Sequence, residues 1–151
     1  IGLHAPVWQV LATVLNDAGK GILPGQVMLK NDLPGGTEVY ADPLIVKVFF
    51  NLLDNSVRHG MRVTEIRVSA LLSGEDLVVA WEDNGIGIDQ DEKELIFEKG
   101  FGKNTGLGMF LAREILSLTG ITITETGQPG VGARFEMVVP KGAWRRETGG
   151  A

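Results

Sequence analysis

The sequence predicts an α+β domain, a two-layer α/β sandwich in which a mixed, mostly antiparallel sheet is covered on one face by helices. Three observations carry that expectation. Short runs rich in β-branched and aromatic residues come in pairs separated by turn residues, as hairpins do. Helix-period segments lie between those pairs instead of alternating singly with strands. The 151 residues, 44% hydrophobic and 22% charged, suffice for one full core.

Each element follows from local chemistry. Pro6 suits a first helical turn, and Val7, Val10, Leu11, Val14 and Leu15 recur at helical spacing until Gly19 and Gly21, so the first helix is expected there. Residues 27–33 and 37–40 flank Pro34-Gly35-Gly36 and read as a hairpin. Asp42-Pro43 opens a long helix, an N-cap oxygen followed by proline, which runs to His59 and stops at Gly60. Residues 63–72 and 77–82, joined by Ser73-Gly74-Glu75-Asp76, form a second hairpin, and a glycine-rich turn over 83–88 follows. Residues 92–97 have the spacing of one or two helical turns, 98–105 read as a mobile loop, and 106–118 resume a helical period. A last hairpin pairs 121–126 with 133–139 around Gly127, Pro129, Gly130 and Gly132. Residues 1–141 are therefore expected to be one domain and 142–151 a frayed tail.

Composition excludes several functions. The net charge of -5 and a pI near 5.0 disfavour broad capture of nucleic acid or anionic lipid. With no cysteine and only His4 and His59, neither a thiolate zinc site nor an imidazole-built metal site is expected. No apolar run approaches the roughly 18 residues of a membrane span. The most hydrophobic stretch, 44–57, is interrupted by Lys47, Asn51, Asp54 and Asn55. The chain starts at Ile1 with no signal-peptide pattern and reads as a piece of a longer protein.

Three segments carry candidate chemistry. On the long helix, Lys47, Asn51, Asp54, Asn55 and Arg58 share one stripe. A solvated face is the simpler account, but such faces favour Lys, Glu, Gln and Arg over Asn, whose amide ligates a hard cation or binds phosphate. In Asp83-Asn84-Gly85-Ile86-Gly87 the same residues make an ordinary turn. Strand alternation nevertheless puts Asp83 on the core side with Leu77, Val79 and Trp81, where a carboxylate needs donors or a ligand. The exocyclic amine of a purine is one such donor. Thr105-Gly106-Leu107-Gly108 opens a helix and could cradle an anion on backbone N–H groups, or simply be a tight helix start after a flexible loop. It is no P-loop, because Phe97 stands where the first glycine would be and Asn104 replaces Ser or Thr. Nor is it a dinucleotide fingerprint, since Thr105 takes the place of the third glycine after Gly100-Phe101-Gly102.

Taken in order, these segments resemble the ATP-binding catalytic domain of two-component sensor histidine kinases, in the superfamily of type II topoisomerases, heat-shock chaperone ATPases and mismatch-repair ATPases. Asn51-Leu52-Leu53-Asp54-Asn55-Ser56-Val57-Arg58-His59 resembles the N box, and Asp83-Asn84-Gly85-Ile86-Gly87 the G1 box. Ile96-Phe97-Glu98-Lys99-Gly100-Phe101 is similar to the F box, and Thr105-Gly106-Leu107-Gly108 to the G2 box. The resemblance implies a Bergerat-type fold, ATP and Mg²⁺ as cofactors, and a cytoplasmic domain.

The resemblance also implies residue roles. Asp83 would accept from the adenine amino group, and Gly85 and Gly87 would admit the nucleotide to the backbone, with Ile88 and Phe97 beside it. Asn55 would ligate Mg²⁺, Asn51 would support ion or phosphates, Arg58 would pair with phosphate, and His59 would lie near the nucleotide. Thr105, Gly106, Leu107 and Gly108 would offer N–H groups to the phosphates, with Lys99 and Lys103 in or beside the lid, where exposed lysines also serve as plain solubilising charges. Departures from the pattern are a short lid over 101–106, Leu118-Thr119-Gly120 for His-Gly-Gly, and Gly132-Ala133-Arg134-Phe135 for a hydroxyl-bearing sequence.

Hydrolytic members of the superfamily place Glu one turn before the Mg²⁺-binding Asn, as a general base for water. Here that position is Asn51, so transfer to a bound acceptor is the expected reaction. The family's acceptor histidine is followed by an acidic residue, whereas His4 precedes Ala5 and His59 precedes Gly60. The expected partners are therefore a histidine-bearing dimerisation domain of the same protein and a downstream response regulator. Two other classes stay open. One is a regulatory ATP-binding module whose lid ordering controls a protein interface without phosphotransfer. The other is a serine kinase of the anti-sigma type, although that group carries Glu at the position of Asn51.

Overall fold

A computed structural model describes residues 5–20, 27–100 and 108–146 of the protein. In chain order its elements are β1 (Val7–Val10), α1 (Leu11–Gly19), β2 (Met28–Asn31), β3 (Thr37–Ala41), α2 (Ile45–His59), β4 (Glu65–Ser73), β5 (Asp76–Asp83), two short 3₁₀ turns (Gln90–Glu92 and Leu95–Phe97), α3 (Gly108–Ser117), β6 (Thr122–Glu125), β7 (Arg134–Val139) and β8 (Trp144–Arg146). The strands form a five-stranded sheet in the order β2-β4-β5-β7-β6 and a three-stranded sheet in the order β1-β3-β8.

The two long hairpins form as expected. β4 pairs antiparallel with β5 from Ile66↔Asp83 to Ser73↔Asp76, and Gly74, at φ +63°, supplies the left-handed turn residue. β6 and β7 pair antiparallel, and β7 also pairs with β5. Period-two patterning gives the sheet an inner face of Ile66, Val68, Leu77, Val79, Trp81, Phe135, Met137 and Val139, all buried. The helices cover it, and Phe49 of α2 stacks on Trp81 with ring centroids 6.2 Å apart. The outer face carries charge instead. Arg134 bonds Glu136 and Glu82, each at 3.0 Å. The Glu136 bond raises the pKa of the Arg134 guanidinium above its ordinary value, against the opposing effect of burial and with help from Glu82.

Four expectations need correction. Residues 7–10 are a strand, not the start of the first helix: the helical spacing of Val7, Val10 and Leu11 runs across a strand–helix junction, and the valines pair with Glu38–Ala41. Residues 27–33 and 37–40 do not form a hairpin with each other. β2 runs parallel to β4, β3 joins the small sheet, and the Pro34 turn carries the chain between them. This parallel pair is what makes the large sheet mixed. The long helix begins at Ile45; Asp42 Oδ1 accepts from Leu44 N at 2.8 Å, so Asp42-Pro43 builds a leading turn ahead of it. A tail frayed from Gly142 does not hold for residues 142–146, because β8 pairs with β3 from Thr37↔Arg146 to Val39↔Trp144. The loop expected over 98–105, the helix start over 106–107, His4, Gly21 and residues 147–151 fall wholly or partly outside the described residues. Among the described residues no helix is long and apolar enough to cross a membrane.

Candidate nucleotide site

Asp83 ends β5 on the inner face and is 8% exposed. Burying a carboxylate there requires donors, and the fold provides them. Oδ1 accepts from Gly85 N at 2.9 Å and from Ala133 N at 3.0 Å, and Oδ2 accepts from Ser56 Oγ at 2.7 Å. Trp81 Nε1 in turn donates to Ser56 Oγ at 3.0 Å. A carboxylate offers about four acceptor positions, so these three donors leave about one for a ligand. The Ser56 bond also presses the C-terminal half of α2 against the end of β5.

Among the described residues, the polar stripe of α2 divides into residues with and without a side-chain partner. Asn51 Nδ2 donates to Gly108 O at 2.9 Å, joining the middle of α2 to the first residue of α3. Asn55 is half-buried, and among the described residues its side chain has no hydrogen-bond partner. Arg58 Nε pairs with Asp54 Oδ1 at 2.6 Å on the exposed side of the helix. A phosphate would have to draw Arg58 from that partner, which in surroundings this exposed costs little. His59 is exposed in the last turn. Among the described residues no group of three or more His, Cys, Asp or Glu could hold a metal ion. The amide oxygen of Asn55 is a hard donor of the kind that Mg²⁺ accepts.

The glycines after Asp83 have packing reasons. A Cβ on Gly85 would lie 2.5 Å from Gly60 O, and one on Gly87, at φ +79°, 2.7 Å from Gln128 O. The turn over 83–88 is thus wedged between the end of α2 and the β6–β7 connection. Ile86 N donates to Gly60 O, Gly130 N donates to Ile86 O, and Arg62 Nη2 donates to Gly130 O at 2.6 Å. Asn84 serves the fold, accepting from Thr64 N and Glu65 N at 2.9 and 3.1 Å. Ile88 packs against the core, and Phe97 is buried, edge-on to Phe135 with Arg113 3.8 Å above its ring. Phe97 therefore holds the second 3₁₀ turn down and does not line an open surface. Lys99 is exposed, while Lys103, Thr105, Gly106 and Leu107 lie outside the described residues.

A family model described as histidine kinase-, DNA gyrase B- and HSP90-like ATPase matches residues 41–143, more than half of the chain. The chain belongs to this ATPase family. The ATPase domain is 39% identical over 121 residues to the alginate biosynthesis sensor protein KinB of Pseudomonas aeruginosa, covering 76% of the chain and 20% of KinB. It is 33% identical over 144 residues to the sensor protein KdpD of Escherichia coli, covering 89% of the chain and 16% of KdpD. It thus spans a fifth or less of these two relatives' length. Among solved structures it is similar in fold to the ATP-binding domain of PrrB from Mycobacterium tuberculosis, with TM-score 0.75 and 24% identity over 91% of this chain and 98% of that one. Full-length ShkA in complex with AMPPNP superposes with TM-score 0.73 and 20% identity, over 93% of this chain and 31% of ShkA. The ATPase domain is thus of the sensor histidine kinase type, with the α/β fold of those catalytic domains.

Several residues that hold Asp83 or the turns of this ATPase domain in place escape a sequence reading. Ser56 and Ala133 act on Asp83, yet a helix serine and a backbone N–H some fifty positions away leave no periodic signal. The buried ion pair of Lys93 and Glu125 is hidden likewise. Lys93 Nζ donates to Glu125 Oε1 and, at 2.9 Å, to Gly127 O, while Glu125 Oε2 accepts from Gly127 N and Arg134 N. The one available signal was Glu125 itself, which alternation puts on the inner face with Ile123.

Proposed function

We propose that the chain binds Mg²⁺-ATP at the end of β5 and along the polar stripe of α2, and that in its full-length parent it delivers the γ-phosphate to a histidine on a separate dimerisation domain. We place the domain in the cytoplasm, with a response regulator as the next acceptor. The observation that carries this is the donor set of Asp83: three protein donors around a buried carboxylate, with about one acceptor position left for an exocyclic amine. The AMPPNP in full-length ShkA supports the same nucleotide class.

The roles follow from placement. Asp83 orients the base, Asn55 holds the cation, and the backbone N–H groups of Thr105, Gly106, Leu107 and Gly108 serve the phosphates, as an anion is favoured at a helix start. Asn51 steadies the first residue of α3 through Gly108, and its amide oxygen is left to support the ion or the phosphates. Gly85, Gly87 and Ile88 shape the wall, and Phe97 anchors the segment that leads to Lys99 and Lys103. Arg58 and His59 close the outer end of the stripe. When bound, Mg²⁺ offsets charge on the phosphates. Because Asn51 is an amide with no basic carboxylate, water is not activated, and the protein's contribution is to position the γ-phosphate for an incoming imidazole.

Calorimetric titration with a non-hydrolysable ATP analogue and Mg²⁺ tests the reading, run beside a GTP analogue and the variants Asp83→Asn and Asn55→Ala. Adenine-selective binding that weakens in both variants is the expected result. No binding by a chain shown to be folded overturns it.

A further inference from the structure

Trp81, Ser56 and Asp83 form a buried hydrogen-bond chain with a fixed direction. Trp81 lies two residues before Asp83 on the same face of β5 and is fully buried, held by its stacking on Phe49. An indole N–H donates and never accepts. At 3.0 Å from Trp81 Nε1, Ser56 Oγ is therefore the acceptor, and its single proton goes to Asp83 Oδ2 at 2.7 Å. The other protein contacts of the carboxylate are backbone N–H donors on Oδ1. The Trp81 proton is spent on Ser56 and the Ser56 proton on Asp83, which is left as a pure acceptor in one orientation. Without this arrangement, a serine inside a helix commonly returns its proton to the carbonyl one turn back, here that of Leu52.

We propose, on the reading that Asp83 receives the base, that Ser56 and Trp81 are positioning residues that set the base preference of the site. With the Trp81 proton committed to Ser56 and the Ser56 proton committed to Asp83, they favour a purine nucleotide with an amino group facing the carboxylate, and they disfavour one with an oxo group there. An oxo group would set acceptor against acceptor with no proton free to lie between them. The preference then belongs to a three-residue relay across α2 and β5, and the carboxylate alone does not carry it.

The test is calorimetry on the folded chain with Mg²⁺ and two non-hydrolysable nucleotides, an ATP analogue and the matching purine riboside triphosphate, which lacks the amino group. In the unaltered chain the ATP analogue binds more tightly. Ser56→Ala is expected to weaken the ATP analogue about tenfold while leaving the purine riboside nucleotide within about twofold, so the ratio collapses. Trp81→Phe moves the ratio in the same direction by a smaller factor. The double variant Ser56→Ala/Trp81→Phe leaves no orphaned indole N–H and is expected to keep the fold with the collapsed ratio. An equal loss for both nucleotides, or an unchanged ratio in all three variants, overturns the relay while leaving the reading of Asp83 in place. Equal affinities in the unaltered chain overturn the reading of Asp83 itself, and the relay with it.

Discussion

Asn51 Nδ2 donates to Gly108 O at 2.9 Å, so the residue standing where hydrolytic relatives carry a general base is here a brace between α2 and α3. Asn51→Ala removes one hydrogen bond and is expected to cost about 0.5–1.5 kcal/mol of unfolding free energy. Asn51→Asp is nearly isosteric yet should cost more, because it turns an acceptor toward the Gly108 carbonyl. The expected stability order in urea unfolding is therefore Asn, then Ala, then Asp. An aspartate variant as stable as the alanine variant would show that the brace does not matter.

Lys93 and Glu125 pin the first 3₁₀ turn to the β6–β7 edge, with side chains 11% and 0% exposed. Lys93→Met leaves a buried carboxylate with backbone donors alone, a loss of about 3–5 kcal/mol by the usual cost of breaking a buried pair. Lys93→Met/Glu125→Gln removes the stranded charge and should recover a large part of that loss. A double-mutant cycle in denaturant measures the coupling, and strictly additive losses would contradict a mutually dependent pair.

Much of the fold was legible because its signals are local. β4, β5, β6 and β7 follow alternation and turn chemistry, and the end of α2 follows Gly60. What escaped depends on partners distant in sequence. Residues 7–10 carry helix-compatible spacing and become a strand only because β3 offers a ladder; residues 28–31 find their partner in β4, beyond a second sheet strand and a helix. At the site, the inner-face position of Asp83 was readable from period two, whereas its donors Ser56 and Ala133 come from elements brought together by tertiary packing. Gly85 and Gly87 were readable as special positions, but the contacts that require them, with Gly60 and the β6–β7 connection, were not.

The glycines should separate by their surroundings. Gly35 has nothing within 4 Å of an added Cβ, so Gly35→Ala should be neutral or stabilise by up to about 1 kcal/mol through the unfolded chain. Gly130 is equally open but sits at φ +84°, so Gly130→Ala should cost about 1–2 kcal/mol. Gly85→Ala drives a Cβ into Gly60 at 2.5 Å from its carbonyl oxygen and 2.7 Å from its Cα, both backbone atoms. A loss above about 3 kcal/mol is expected, with weakened nucleotide binding because the displaced turn carries the N–H that holds Asp83. Thermal melts of the three variants check the order, and a mild Gly85→Ala would mean that the turn relaxes away from α2.

Phosphate transfer is expected to need a second domain. His59 is exposed at the end of α2 and followed by Gly60, so it lacks the acidic neighbour that the family's acceptor histidine carries, and His4 is followed by Ala5. On the proposed reading, Asn51, engaged on Gly108 and unable to take a proton, is not expected to activate water, and neither histidine is expected to receive the γ-phosphate. The chain alone, incubated with Mg²⁺ and γ-labelled ATP, should therefore show no stoichiometric phosphohistidine and only slow release of phosphate. Adding the proposed histidine-bearing dimerisation domain should move label onto that domain. Stoichiometric phosphohistidine on the chain alone would overturn the separate acceptor. An unlabelled acceptor domain, with nucleotide still bound, would favour a regulatory ATP-binding module.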